Sequence, residues 1–168
     1  WPGQGPRSIT RPTLRVEPLV WPDLAPVPRH VDAVVELGGP GDRDAAALAL
    51  ASAGRTTYVV QSTVPVEAGT NRCLPATPGV TVMCFHPDPG TTRGEAEYIG
   101  RTAEQLHWRS VVLITTPDQA LRARLRTTRC FPGPVYVATT PLPLAEWPVA
   151  VVYQWSAFVK AIFFETDC

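Results

Sequence analysis

Val31-Asp32-Ala33-Val34-Val35-Glu36-Leu37 is a β-branched, apolar run that Gly38-Gly39-Pro40-Gly41 breaks off sharply. A run of this kind bounded by turn residues reads as a buried strand. Arg43 to Ala53 follows, rich in alanine and leucine and so helical, and Gly54 supplies its C-terminal stop. Thr56 to Gln61 is strand-like again. Strand, glycine turn, helix and strand within about thirty residues make a β-turn-α-β unit.

The alternation continues toward the C-terminus. Val80 to Phe85 is strand-like, Thr91 to His107 helical, Ser110 to Ile114 a short apolar strand, Gln119 to Thr128 an arginine-rich helix and Val135 to Ala138 a strand. Strands alternating with helices imply parallel pairing with both faces covered. The expectation is an α/β, three-layer Rossmann-like domain with a mainly parallel sheet of about five strands. Val149 to Phe164 is the most apolar segment, interrupted by Gln154, Ser156 and Lys160. It is too short and too polar to span a bilayer and reads as a closing core helix. Residues 1–30 carry prolines at 2, 6, 12, 18, 22, 26 and 28, a density no helix survives. They read as an extended lead-in or linker, and 31–168 as one Rossmann-like domain.

Charge and composition exclude several classes. The chain has 168 residues, enough for one domain, and 45% of them are hydrophobic, enough for a core. Lys+Arg and Asp+Glu both total 15, so the basic surplus of a sequence-independent nucleic-acid binder is missing. The same balance argues against a polybasic membrane-surface protein. No signal peptide and no run of about 20 apolar residues is present, so any membrane anchor is expected upstream of Trp1.

Cys73, Cys84, Cys130 and Cys168 are even in number and contain no CxxC pair, which argues against zinc. Cys73 and Cys84 bracket a loop with proline and glycine, and Cys168 leaves Cys130 as its partner. Two disulfides, Cys73–Cys84 and Cys130–Cys168, are expected, and with them an oxidising compartment. Four buried thiols in a cytosolic protein are the alternative.

In an open α/β sheet the ligand site lies beyond the carboxyl ends of the strands, so the loops there carry the candidates. Gly38, Gly39 and Gly41 let a backbone approach a ligand, and the helix that starts at Asp42 and Arg43 offers free N–H groups to an anion. The plainer reading makes Asp42 a helix cap and leaves Arg43 solvated. Ser62 follows the second strand, where its hydroxyl either meets a polar ligand or merely caps a loop. Thr92 and Glu95 fit a capping box, or Glu95 faces inward as a base or hydroxyl acceptor. Thr115 and Thr116 precede a helix on which Arg122, Arg126 and Arg129 share one side, either as a grip for phosphate or as a solvated stripe. Asp42, Arg43, Glu95 and Arg122 are expected to converge on one cleft. His86, beside Asp88, ends the third strand and reads as structural. No Ser-His-Asp triad and no metal constellation is evident, and no cofactor is assigned.

These loops resemble the SanA/YdcF/ElyC-type family of bacterial envelope proteins. The resemblance rests on Asp32 to Gly39, Gly41-Asp42-Arg43, Thr91 to Ala96, Val111 to Thr116, Arg122-Ala123, and Tyr153-Gln154-Trp155 followed by Lys160. It spans Val31 to Phe164 and implies a Rossmann-like fold behind an N-terminal membrane anchor, facing the cell envelope. The implied role is in barrier integrity or peptidoglycan-precursor metabolism, and one soluble branch of the family binds S-adenosylmethionine. Members commonly have a histidine where this chain has Gln119 and a glutamate where it has Gln154, so the obvious proton carrier is lost. The leading expectation is an extracytoplasmic domain that binds an anionic, nucleotide-like or lipid-linked sugar-phosphate ligand at the C-terminal edge of its sheet. The alternatives are a cytosolic S-adenosylmethionine- or nucleotide-binding enzyme and a non-catalytic scaffold.

Overall fold

The structure is a computed structural model that describes residues 24–39, 42–63, 73–142, 145, 147–163 and 166–168. Five strands form one sheet: β1 (Ala33–Glu36), β2 (Tyr58–Ser62), β3 (Thr81–Phe85), β4 (Val111–Thr115) and β5 (Val135–Thr139). The helices are α1 (Arg43–Ser52), α2 (Thr92–Leu106), α3 (Pro117–Cys130) and α4 (Trp147–Phe163). The sheet order is β3-β2-β1-β4-β5, and all four pairings are parallel. The chain runs outward from β1 through β2 to β3, then returns to β4 on the other side of β1. The switch in direction therefore falls between β1 and β4, where open sheets of this type bind ligands.

Alternating side chains of the central strands feed two separate cores, which gives three layers. Ala33, Val35, Val111 and Leu113 pack with Ile99 and Ala103 of α2 and with Ala120 and Ala123 of α3. Val34, Val59, Val112 and Ile114 face the other way, onto Ala47 and Ala51 of α1. The burial of β1 and β4 on both faces explains their unbroken apolar sequences. The expected Rossmann-like α/β fold is the observed one.

Local signals account for the element ends. Gly54, at φ +67°, takes the left-handed position just past α1. Asp32 fixes the start of β1: its Oδ2 accepts from Arg109 N at 2.8 Å, Ser110 N at 2.9 Å and Ser110 Oγ at 3.0 Å. Burial acts to raise its pKa, but these donors win and hold it below the ordinary value. Gly100 lets α2 cross α3 closely, since a Cβ there would stand 2.6 Å from the Cys130 carbonyl oxygen.

Both expected disulfides are formed, Cys73–Cys84 and Cys130–Cys168. The first closes a loop with a sequence separation of 11. In the chain-entropy model such a loop contributes about 2–3 kcal/mol. The double variant Cys73→Ser/Cys84→Ser should lose that amount in urea unfolding while its far-ultraviolet circular dichroism stays unchanged. The β1-α1-β2 core is complete without the loop. Loss of the folded spectrum would show that the sheet itself depends on the bond.

Two expectations need correction or restriction. The closing helix is not a core helix: Tyr153, Trp155, Val159, Ile162 and Phe163 of α4 are exposed. The reason is position, because α4 follows the edge strand β5 and packs along α3 rather than on the sheet. Most of the proline-rich lead-in, residues 1–23, lies outside the described residues. In its described part, Leu24 and Val27 pack against the two cores and Arg55 Nη2 donates to the Val27 carbonyl at 2.8 Å.

Candidate functional site

A cleft of about 300 Å³ opens at the C-terminal edge of the sheet, at the switch between β1 and β4. Gly38 and Gly39, directly after β1, form its floor. The start of α2 supplies Thr91, Thr92, Arg93 and Glu95, and α3 supplies Gln119, Arg122 and Arg126. The outer wall is α4, through Tyr153, Ala157 and Lys160. Four cationic side chains thus line the cleft together with one carboxylate, and Arg93 among them is ion-paired with Glu97 at 2.8 Å. No histidine lines the cleft among the described residues.

Glu95 is only 4% exposed. Its Oε1 accepts from Gly38 N at 2.7 Å, which ties the start of α2 to the loop after β1. Burial drives its pKa up, against the Gly38 N–H, the Ser62 hydroxyl and the nearby Arg43 and Arg122 guanidinium groups. The capping-box alternative is not realised. Thr91 is the N-cap residue of α2 and makes no side-chain cap bond. The Glu95 carboxylate reaches across to β1 instead of back to its own helix.

Arg43 lies beneath the floor, 2% exposed, and so is not the solvated residue of the plainer reading. Its Nη1 donates to the Leu37 carbonyl and, at 2.8 Å, to the Gly38 carbonyl, while Nη2 reaches Thr116 Oγ1 at 3.4 Å. Burial pulls its pKa below the ordinary value, against Glu95, Glu36 and Asp118. Gly39, at φ +131°, is the position where the chain needs glycine on two counts. The angle disfavours a side chain, and a Cβ would stand 2.9 Å from Arg43 Nη2 and 3.2 Å from Gln119 Nε2.

Arg122 lines the cleft, with its Nε donated to Gln154 Oε1 of α4 at 2.9 Å. That bond fixes the guanidinium fork against the wall. Burial lowers its pKa, while Tyr153 and Glu95 act to raise it. Gln119 accepts from Thr115 Oγ1 at 3.1 Å, so the loop after β4 is also tied to the cleft.

Gly38, Gly39, Thr92, Glu95 and Arg122 thus share one cleft, while Arg43, Ser62, Thr115 and Thr116 are buried around its base. Asp42 does not converge. It is exposed and caps α1, with its carboxylate accepting from Ala45 N at 3.3 Å, a short-range bond that holds it on the outside. Gly41 lies outside the described residues. Arg129, expected on the side of Arg122, instead donates to the Ala161 carbonyl at 2.8 Å and fastens α4. His86 is exposed and bonds Thr63 Oγ1 at 3.1 Å, away from the cleft.

Arg126 was expected beside Arg122 and lines the cleft with it, while Arg93, Tyr153 and Lys160 had been given no part in a site. Nothing in the pattern of the residues set α4 across the cleft from α2, so Tyr153 and Lys160 had no signal beyond the resemblance.

On the opposite face of the sheet, Glu36 is buried beneath the first turn of α1. Gln61 Nε2 donates to Glu36 Oε1 at 3.4 Å and to Asp44 Oδ1 at 3.2 Å. Burial first, then the Asp44 carboxylate, push the pKa of Glu36 up to about 8.

Fold and site together define a Rossmann-like α/β domain with a cationic cleft at its topological switch. No protein-family model, no curated protein and no solved structure matches this chain.

Proposed function

We propose that this is an extracytoplasmic domain of the SanA/YdcF/ElyC type, with a role in cell-envelope biogenesis or barrier integrity. Its ligand is an anionic, nucleotide-like or lipid-linked sugar phosphate held in the cleft. The observation that carries this reading is the meeting of Arg122, Arg126 and Lys160 with the buried carboxylate of Glu95 in one cleft. Guanidinium forks suit phosphate oxygens, and Glu95 suits a ligand hydroxyl. Two disulfides support the oxidising compartment. Glu95, with its raised pKa, is the group in the cleft suited to accept a proton, and Gln119 offers no titrating partner.

Calorimetric titration with uridine diphosphate, a sugar 1-phosphate and inorganic phosphate tests the reading. At least one should bind the wild type, and Arg122→Ala should weaken that binding by about 1.5–3 kcal/mol, the range for charged hydrogen bonds. Stability should fall by only about 1 kcal/mol, for the lost bond to Gln154. Absence of binding to all three, or equal binding by the variant, refutes the anionic ligand.

A further inference from the structure

Glu36, Gln61 and Cys84 stand side by side in one row across β1, β2 and β3, on the face of the sheet that packs against α1. Two residues earlier the same face carries Val34, Val59 and Val82, all part of the core. Hydrogen bonds run along the polar row. The buried Leu74 N–H donates to Gln61 Oε1 at 2.9 Å. Only an oxygen can accept that bond, so the NH2 end of Gln61 must point the other way. It donates to Glu36 Oε1 at 3.4 Å and to Asp44 Oδ1 at 3.2 Å.

Glu36 is 7% exposed, and its Oε2 accepts no hydrogen bond among the described residues. Asp44 and Arg43 of α1 are the charged groups that bear on it, while β4 presents the apolar Ile114 and β2 the neutral Gln61. An ionised carboxylate with an orphan oxygen beside a second carboxylate is costly, so this arrangement favours a proton on Glu36. What holds Leu74 on Gln61 is its neighbour Cys73, bonded to Cys84 of the same row. Leu74 is buried in the core between the sheet and α1. Cys73 is exposed, and Cys84 is half-buried on the edge strand β3. The disulfide is therefore open to solvent, and the hydrogen bond behind it is not.

We propose that Cys73–Cys84 is a redox latch over this carboxyl pair: a dithiol reductant opens it, frees Leu74 from Gln61 and admits water to Glu36 and Asp44. One thiolate of the dithiol attacks a sulfur of the bond, and its second thiol completes the exchange. Two electrons and two protons pass to Cys73 and Cys84, and the dithiol leaves as a disulfide. Without the bond, the Leu74 N–H exchanges Gln61 for water and the Gln61 amide loses its fixed direction. Water reaches the orphan oxygen of Glu36, and the carboxyl gives up its proton. Glu36 leads directly into Leu37 and Gly38, whose carbonyls Arg43 holds beneath the cleft. The added negative charge acts on Arg43, so the redox state of an edge strand is felt under the cleft floor. None of these steps depends on what the cleft binds.

Carbon-13 NMR of the side-chain carboxyl groups in the full chain tests the proposal, with Glu36→Gln to assign the signal. In the oxidised protein Glu36 should titrate at about 8. Dithiothreitol should lower its proton affinity about tenfold or more, a fall of about one pH unit or more in the midpoint. That reagent also reduces Cys130–Cys168. The variant Cys73→Ser/Cys84→Ser should therefore show the same low midpoint without any reductant, and dithiothreitol should leave it there.

Equal midpoints in the oxidised and reduced wild type overturn the proposal, as does a midpoint already at the ordinary value in the oxidised chain. Thiol alkylation read by mass spectrometry shows whether a dithiol opens Cys73–Cys84 in the folded protein, and a bond that stays closed refutes the latch. If the midpoint of the serine variant still falls on reduction, the effect belongs to Cys130–Cys168 and the assignment is lost. If opening the bond collapses the dispersion of the amide spectrum, the disulfide is a fastening that the fold requires and not a switch.

Discussion

Replacing Arg43 by methionine should destabilise the domain by about 3–5 kcal/mol, the cost of removing one member of a buried charged group. The side chain is 2% exposed and holds the Leu37 and Gly38 carbonyls together. Methionine fills much of the volume but donates nothing. Two carbonyl oxygens then lose a donor, and Glu95 loses one of the charges that offset its burial. Arg43→Lys should rescue little, because an ammonium on a flexible stem does not reproduce a planar fork with several donors. Urea unfolding of the three proteins measures this, and a loss under about 1 kcal/mol for Arg43→Met would mean that the carbonyls find other donors. Glu95→Gln in the methionine background should recover part of the loss, since it removes the uncompensated charge.

The second large effect is a dependence on pH. Glu36 titrates at about 8 in the folded chain, against an ordinary value of 4.5. Between those two values the unfolded chain binds fewer protons than the folded one, so stability falls as pH rises. The contribution of the protonated carboxyl is fully present below 4.5 and is lost as pH climbs through about 8. Glu36→Gln should flatten this slope, because the amide stays neutral and can donate to Asp44. Each pKa unit is worth about 1.4 kcal/mol in full, and partial solvent screening reduces this to a total of about 1–3 kcal/mol between pH 5 and 8. The variant should therefore melt several degrees above the wild type at pH 8 and close to it at pH 5. Parallel melting curves across that range would show that Glu36 is ionised throughout, and that Gln61 rather than a proton separates it from Asp44.

The sheet was legible because its signals are local. Val34, Val35, Val112 and Leu113 sit in unbroken apolar runs, and Gly54 marks a helix end by a backbone angle that few other residues accept. The cleft was legible at its inner side, since parallel strands send their following loops to one edge. Gly38, Glu95 and Arg122 could be placed there from chain order alone. Arg43 was ambiguous, because one residue at a helix start reads equally as a solvated charge or as a buried tie. Only the distances to Leu37 and Gly38 decide it. Asp42 beside it went the other way, held outward by the bond to Ala45. The α4 wall was illegible for a different reason: its apolar sequence is what a core helix would show, and periodicity does not tell where a helix docks.

The bond between Arg122 and Gln154 and the disulfide between Cys130 and Cys168 have a bearing on how the molecule comes into being. Strands β1 to β5 occupy residues 33–139, so a ribosome delivers the whole sheet before it delivers α4. Until that helix emerges and settles on α3, the floor of the cleft exists but its outer wall does not, and Arg122 has no anchor for its fork. The cleft is therefore completed after the scaffold itself, at the moment when late-synthesised chain folds back. Oxidation of Cys130 with Cys168 then ties the end of the chain to α3 and makes that arrival hard to reverse.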